Sequence, residues 1–194
     1  MKKLLLGSFL ILFPFVSMAQ EVTPKSDSAN QWRYYVGLDA GLFLSDVKIH
    51  DDTFVDFGGV ADIEFGARYN RTRVGFAVSD HSETSGIFQA LVGHTASIEN
   101  IALRLNGYYD YVSKEHFAMY IGAGMGINRY DYKIQNKLQN RDESEHGASF
   151  IAGASTGMIF MSEHFDIDLG IFVDYISFPR IYSYGPKLGL RYKF

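Results

Sequence analysis

The last eight residues of the chain, 187–194, constrain its fold more than any other stretch, because they alternate without interruption and end on an aromatic ring. The apolar members are Leu188, Leu190, Tyr192 and Phe194. Successive side chains of a strand point to opposite faces, so these four share one face. A soluble strand gains little from an exposed terminal Phe, whereas a membrane strand gains from an aromatic ring at the lipid–water boundary. The stretch therefore predicts a transmembrane β-strand.

The same alternation recurs upstream and predicts eight strands in all. They cover residues 32–43, 56–69, 72–79, 97–111, 117–130, 148–161, 165–175 and 184–194, the fourth without a clear starting signal. Short links at 70–71, 112–115 and 162–164 alternate with long ones at 44–55, 80–96 and 131–147, and 177–183 is intermediate. Short periplasmic turns and longer outer loops are typical of outer-membrane barrels. The predicted fold is therefore an all-β, eight-stranded antiparallel transmembrane up-and-down barrel.

The second face of these strands carries ionisable side chains, which decides between a membrane barrel and a soluble one. The set comprises Asp62, Glu64, Arg68, Arg73, Arg104, Asp110, Asp166, Asp168, Asp174, Lys187 and Arg191. A soluble barrel such as a lipocalin would place apolar side chains inside, so this pattern is inverted for it. An eight-stranded barrel is just wide enough for side chains to fill its interior, and buried charges must be paired. The sequence predicts a polar, side-chain-filled lumen held by ion pairs, with a narrow conducting pore as the alternative.

The composition agrees with a barrel and excludes several other classes. The mean hydropathy of -0.05 is too low for a bundle of membrane helices, although 47% of the residues are hydrophobic. A barrel reconciles the two values, because lipid-facing and lumen-facing residues alternate along its strands. The chain has no Cys. This excludes a disulfide framework, a thiolate metal site and lipidation on an N-terminal Cys.

The N-terminus has the features of a cleavable signal peptide over residues 1–19. A short basic segment precedes an apolar run, which ends in a small-x-small cleavage site at Ser17-Met18-Ala19. Residues 20–31 are polar and are expected to form a flexible periplasmic lead, which leaves residues 32–194 as the barrel. Cleavage removes two Lys and no acid, so the formal charge changes from -4 to -6. An exported acidic protein of this kind is expected in the cell outer membrane and is not expected to bind nucleic acid.

Two resemblances add to this interpretation. The chain end resembles the C-terminal targeting signal of bacterial outer-membrane barrel proteins, and the matching positions are Lys187, Gly189, Tyr192 and Phe194. This resemblance implies that the outer-membrane insertion machinery recognises the signal ending at Phe194. The pattern of residues 32–194 resembles the small OmpA/OmpX-like family of eight-stranded outer-membrane proteins. That resemblance implies a non-enzymatic barrel with a structural, adhesive or surface-interaction role, which we expect to be a monomer surrounded by outer-membrane lipid and lipopolysaccharide.

An enzymatic function is the alternative, because outer-membrane lipid A deacylases and acyltransferases share this scaffold. Such enzymes need a Ser nucleophile and a His base at the outer boundary of the membrane. His81 and Ser82, at the outer end of the third strand, loosely resemble the deacylase arrangement. Adjacent strand residues face opposite ways, so a direct hydrogen bond between these two requires a bent loop. His164 is expected at the opposite rim, and we expect no catalytic residue.

The predicted outer loops contain the remaining candidates. His50, Asp51 and Asp52 could hold a hard cation, but adjacent carboxylates lack the alternating spacing of a calcium loop. We therefore expect no metal site and no cofactor. The third loop mixes acidic residues with basic ones that could contact lipopolysaccharide phosphates, namely Arg129, Lys133, Lys137 and Arg141.

Overall fold

The computed structural model describes residues 31–49, 52–83, 94–136 and 141–194. Within these ranges eight strands follow one another in sequence order and close into a single antiparallel barrel. They are β1 (Arg33–Ile49), β2 (Asp52–Tyr69), β3 (Thr72–Glu83), β4 (His94–Ser113), β5 (Phe117–Asn136), β6 (Arg141–Met161), β7 (Phe165–Ile176) and β8 (Arg180–Lys193). The predicted fold class is confirmed. The predicted signal peptide, residues 1–19, lies outside the described residues, as do residues 20–30 of the predicted lead.

The alternation of side chains places the two faces as predicted. On β1, Leu38 is 58% exposed on the outside, whereas its neighbour Asp39 is 6% exposed inside the barrel. The C-terminal strand β8 behaves in the same way, with Leu188 and Leu190 exposed and Arg191 buried. A soluble monomer rarely exposes such a continuous apolar surface. The outer face of this barrel is therefore suited to lipid and the inner face to charge.

The register of the strands sets their tilt. Cross-strand partners lead from Tyr182 around the barrel to Tyr192, in the order Tyr182, Tyr175, Ala152, Met125, Leu105, Phe76, Phe65, Val36 and Tyr192. One circuit thus shifts the register by ten residues (192 − 182 = 10). With about 3.3 Å per residue and about 4.8 Å between strands, this shift gives a tilt of about 40°.

Aromatic residues mark two levels on the outer face. Tyr175 and Tyr182 pack with ring centroids 4.9 Å apart at the end with the longer links, which we call the outer aromatic level, and Phe165 and Tyr192 pack 5.2 Å apart at the other. Ten residues of tilted strand separate the two levels by about 25 Å in height, which is the height of the apolar band on membrane barrels. Tyr130 does not belong to either level, because it shares the inward face of β5 with Asn128 and is buried in the lumen.

The strands extend farther than predicted at the end with the longer links. The predicted long links 44–55 and 131–147 are mostly strand, and the link predicted at 177–183 shrinks to residues 177–179. Backbone groups make the ladder hydrogen bonds, so pairing continues where apolar alternation stops. Residues 84–93 of the remaining long link lie outside the described residues.

The β1–β2 hairpin continues past the last β2–β3 pair, Gly58 with Glu83, and strands β4, β5 and β6 form a second projection beyond the barrel rim. The last pair between β3 and β4 is Ser82 with Glu99, and the last pair between β6 and β7 is Ile151 with Ile176. Beyond these pairs, β4, β5 and β6 continue to pair with one another as far as Arg141 with Asn136. We call residues 94–98, 130–136 and 141–147 the sheet extension.

The lipid-facing surface leads to a stability prediction. Leu188 lies six residues from Tyr182 and four from Tyr192, so it is near the middle of the apolar band. We expect Leu188→Arg to lower the free energy of unfolding by about 2–4 kcal/mol, because a cation at mid-depth must leave water. Leu44→Arg, opposite Tyr184 near the outer aromatic level, should cost about 0–1 kcal/mol. Urea unfolding in lipid vesicles measures both values, and equal costs would contradict the assigned membrane depth.

Candidate functional site

The predicted inward charges lie in the lumen, where they form several groups of ion pairs. Arg191 on β8 is 1% exposed and lies between two acids. Its Nη1 is 2.5 Å from the Asp168 Oδ2, and its Nη2 is 3.6 Å from the Asp39 Oδ2. Gly189 makes this arrangement possible, because a Cβ at that position would overlap the Asp39 carboxylate. The arginine therefore holds β8 to acids from β1 and β7 across the closing seam.

A second group of charges surrounds Asp174 on β7. Arg104 donates two hydrogen bonds to its carboxylate, each 2.8 Å long, which is the bidentate geometry that arginine favours. The Nε2 of His81 lies 3.3 Å from the same carboxylate. Gly153 lies beside this pair without a side chain, and a Cβ there would overlap the Asp174 carboxylate. Arg104 and His81 thus share one buried acid.

The third group lies toward the end with the short turns. Arg68 and Arg73 approach the Asp110 carboxylate at 2.7 Å and 3.4 Å. The Arg73 guanidinium also lies between the rings of Tyr108 and Tyr120, 4.6 Å and 4.7 Å from their centroids. These contacts compensate for the desolvation of a buried cation.

Glu64 on β2 is satisfied by neutral donors. The hydroxyls of Tyr35 and Tyr108 each donate to its carboxylate at 2.7 Å, and the Asn106 amide donates at 2.8 Å. Gly75 leaves room for this side chain, because a Cβ there would meet the Glu64 carboxyl group. A carboxylate with three donors is well accommodated inside a narrow barrel.

Apolar clusters separate these polar layers. One cluster fills the lumen near the sheet extension and contains Val47, Ala102, Tyr130, Ile151, Ile176 and Ile181. A second contains Phe43, Val60 and Phe172, and a third contains Tyr108, Ala118, Tyr120 and Ile159. A cavity of about 20 Å³ lies among Asp62, Arg104 and Lys187. That volume suits a water molecule rather than a substrate.

The structure does not bring the proposed deacylase residues together. His81 is 1% exposed and points into the lumen, whereas the next residue, Ser82, is exposed on the outer face. His164 is exposed at the other end, where it stacks on Tyr192 with ring centroids 6.5 Å apart. The geometric argument from strand alternation is thus confirmed, and these side chains make no catalytic arrangement.

The metal candidates are only partly described. His50 and Asp51 lie outside the described residues, and Asp52 begins β2. Among the side chains that the structure describes, no group of three or more potential ligands could hold a metal ion. The predicted charged loop at 129–146 is also revised, because only residues 137–140 separate β5 from β6. Its Arg129 lies on a strand, exposed on the outer face.

The sequence alone did not predict a pair of cations that meet at the rim with the longer links. Lys48, the penultimate residue of β1, is the direct cross-strand partner of Arg180, the first residue of β8. Both side chains are exposed on the lipid-facing side of the barrel. They lie 132 positions apart in the sequence (180 − 48 = 132), so only the register between the first and last strands reveals the contact.

Comparisons with known proteins agree with this architecture. A family model described as "Outer membrane protein beta-barrel domain" matches residues 8–194. Neisserial surface protein A is 19% identical, with a TM-score of 0.65 over 83% of this chain and 97% of its own. A major outer membrane protein from Thermus thermophilus is 12% identical, with a TM-score of 0.57 over 85% of this chain and 100% of its own. Ail from Yersinia pestis is 18% identical, with a TM-score of 0.51 over 82% of this chain and 98% of its own. No curated protein matches the chain.

The buried network leads to a prediction about stability. Replacing Arg191 by Met leaves Asp39 and Asp168 without their shared cation in the lumen, since breaking a buried pair strands the partner charge. We expect the free energy of unfolding to fall by about 3–5 kcal/mol. Arg33→Met, which removes an exposed cation at the end of the barrel, should change it by less than about 0.5 kcal/mol. Equal effects in a urea titration would show that the lumen pairs do not support the barrel.

Proposed function

Starting from the fact that this chain belongs to the outer membrane protein beta-barrel domain family, we propose that it is a non-enzymatic surface protein. Its barrel serves as the membrane anchor, and its sheet extension contacts partners outside the cell. The short turns, the start of β1 and the end of β8 face the periplasm in this arrangement, and the extension faces outward. The observation that carries the proposal is the unequal length of the strands at one rim.

The sheet extension offers backbone groups for pairing. Among the described residues, 141–149 of β6 pair with β5 on one side and have no strand on the other. Within the described strands, residues 94–98 of β4 likewise pair with β5 alone. Edges of this kind present rows of N–H and C=O groups, which an extended peptide can use to add a strand. The extension is therefore suited to recognition of a partner through its backbone.

The described side chains on and beside the extension give it an acidic character. Glu99, Asp131 and Glu145 are exposed there, and they favour a partner with basic residues. The basic Arg129 lies lower, close to the outer aromatic level. Charge of this sign also discourages two such edges from joining each other.

The enzymatic alternative has less support. His81 already has an acid partner in the lumen, where lipid cannot reach it, and Ser82 faces away from it. The pore alternative is also less consistent with the packing, because apolar clusters and ion pairs fill the lumen. A structural or adhesive anchor requires neither a nucleophile nor a channel.

Trimming the extension tests the proposed function. The variant removes residues 131–146 and joins Tyr130 to Gly147 through an Asn-Gly turn, which favours a two-residue hairpin. We expect cells that carry this variant to adhere at least about tenfold less than cells that carry the full-length protein. Adherence is counted on epithelial cells and on matrix-coated surfaces at equal amounts of inserted barrel.

A matched control changes the opposite rim. Replacing Lys114, Glu115 and His116 by Gly removes charge from a periplasmic turn and should leave adherence unchanged. Heat-modifiable migration in gels confirms that both variants insert. If the trimmed barrel inserts and supports full adherence, the extension is not the interaction surface and the proposal is wrong.

A further inference from the structure

Two cations face each other where the barrel closes, and the fold itself does not explain them. Lys48 and Arg180 are direct cross-strand partners on the outer face. Like charges in this position repel each other and weaken strand pairing. Within the described part of the chain, neither side chain forms a salt bridge. A pairing that costs stability at the strand ends is explained if an anion binds between the two.

The height of this pair relative to the membrane identifies the layer in which it lies. Arg180 is two residues beyond Tyr182, which is about 5 Å higher along the barrel axis at a tilt of about 40°. Tyr182 marks the outer aromatic level, and aromatic belts lie at the level of lipid headgroups. The two cations therefore lie in the headgroup layer, immediately beyond the apolar band. This placement rests on the orientation given under the proposed function.

An open hollow lies between the two side chains. Its volume is about 310 Å³, and it is lined by Lys48, Ser177, Phe178 and Arg180. We call these four residues the rim site. A water molecule in the liquid occupies about 30 Å³, so the hollow is larger than one or two waters require. It is open to solvent and has room for a phosphate group beside the two cations.

The short turn at 177–179, which carries two of the rim-site residues, is held in place by β6 and β5. The Ser177 N–H donates to the Phe150 carbonyl at 2.9 Å, and the Ser177 hydroxyl accepts from the Phe150 N–H at 3.0 Å. A hydroxyl that accepts in this way keeps its own proton for donation. The Phe178 ring packs on Tyr130, with centroids 5.4 Å apart. Anchoring on both sides lowers the entropy that binding would otherwise cost.

We propose that the rim site binds a phosphate group at the outer surface of the membrane. Lys48 and Arg180 supply the two charges, and the Ser177 hydroxyl supplies a hydrogen bond. Arginine and lysine form charge-assisted hydrogen bonds with phosphate oxygens. The phosphate of an outer-leaflet lipid headgroup and free phosphate share this chemistry. The site gives the barrel a fixed lipid contact at the seam between its first and last strands.

The acid nearest to the rim site in the register modulates the predicted affinity. Asp46 is two residues before Lys48 on the same face of β1, and it is the cross-strand partner of Tyr182. Its carboxylate repels a phosphate bound nearby. Removing this charge should therefore strengthen binding, whereas removing either cation should weaken it. This opposite response separates phosphate binding from a general loss of packing.

Nuclear magnetic resonance of the full barrel in nanodiscs tests the proposal. The amide shifts of Ser177 and Arg180 are followed in two titrations. In one, bisphosphorylated lipid A or its dephosphorylated form is added to phosphatidylcholine. In the other, inorganic phosphate is added to phosphatidylcholine alone. We expect saturable shifts with bisphosphorylated lipid A, and none with the dephosphorylated form.

Variants then connect the response to the rim site. In the double variant Lys48→Gln, Arg180→Gln, the half-saturating fraction of lipid A should rise at least about tenfold. Arg129→Gln removes an exposed cation without a cationic cross-strand partner and should change the half-saturating fraction less than about twofold. Asp46→Asn should lower the half-saturating fraction. A saturable response to inorganic phosphate alone, lost in the double variant, would support the site with free phosphate as its source. Absence of saturable shifts in both titrations, or shifts that survive in the double variant, would overturn the proposal.

The proposed function and the rim site fail separately. The trimmed variant lacks residues 131–146 and keeps all four rim-site residues, so its lipid response should equal that of the full-length protein. A normal lipid response with unchanged adherence would contradict the proposed function alone. If the full-length protein shows no saturable lipid response but trimming still reduces adherence, the rim site alone is contradicted.

Discussion

The pairing of β8 with β1 is the interaction on which the rest of the structure depends. In a membrane, a sheet with unpaired edges leaves backbone N–H and C=O groups without partners, and only closure removes those edges. The register of this seam runs from Tyr35 with Lys193 to Lys48 with Arg180. Together with the other seven pairings it sets the ten-residue shift, and hence the tilt of every strand. The position of each side chain relative to lipid and lumen follows from that geometry.

Closure with eight strands also decides what the lumen can contain. The interior is only wide enough for side chains, so large inward residues must face small ones. Glycines provide that space beside the buried carboxylates of Asp39, Glu64 and Asp174. The charges then pair at short distance and the apolar clusters fill the remaining levels. The lumen is thus occupied by structural contacts, which is why the proposed function is assigned to the rim and to the sheet extension.

Alternation in the sequence predicted the strand count, the facing of residues such as Leu38 and Asp39, and the charged lumen. It did so because lipid on one side and a narrow lumen on the other impose opposite chemistry on successive residues. It did not predict the outer strand ends, since backbone pairing beyond the apolar band requires no apolar side chain. The rim site and the partners of each lumen charge depend on register between strands, which composition along a single strand does not specify.

The most direct test of this account is the electrical behaviour of the purified barrel in a planar bilayer. If ion pairs such as Arg191 with Asp168 and the apolar clusters fill the lumen, the inserted protein should give no discrete conductance steps in molar salt. The barrel would then be a closed membrane anchor. Reproducible steps of uniform size from correctly inserted protein would show an open path through the lumen, and the account of a filled barrel would be wrong.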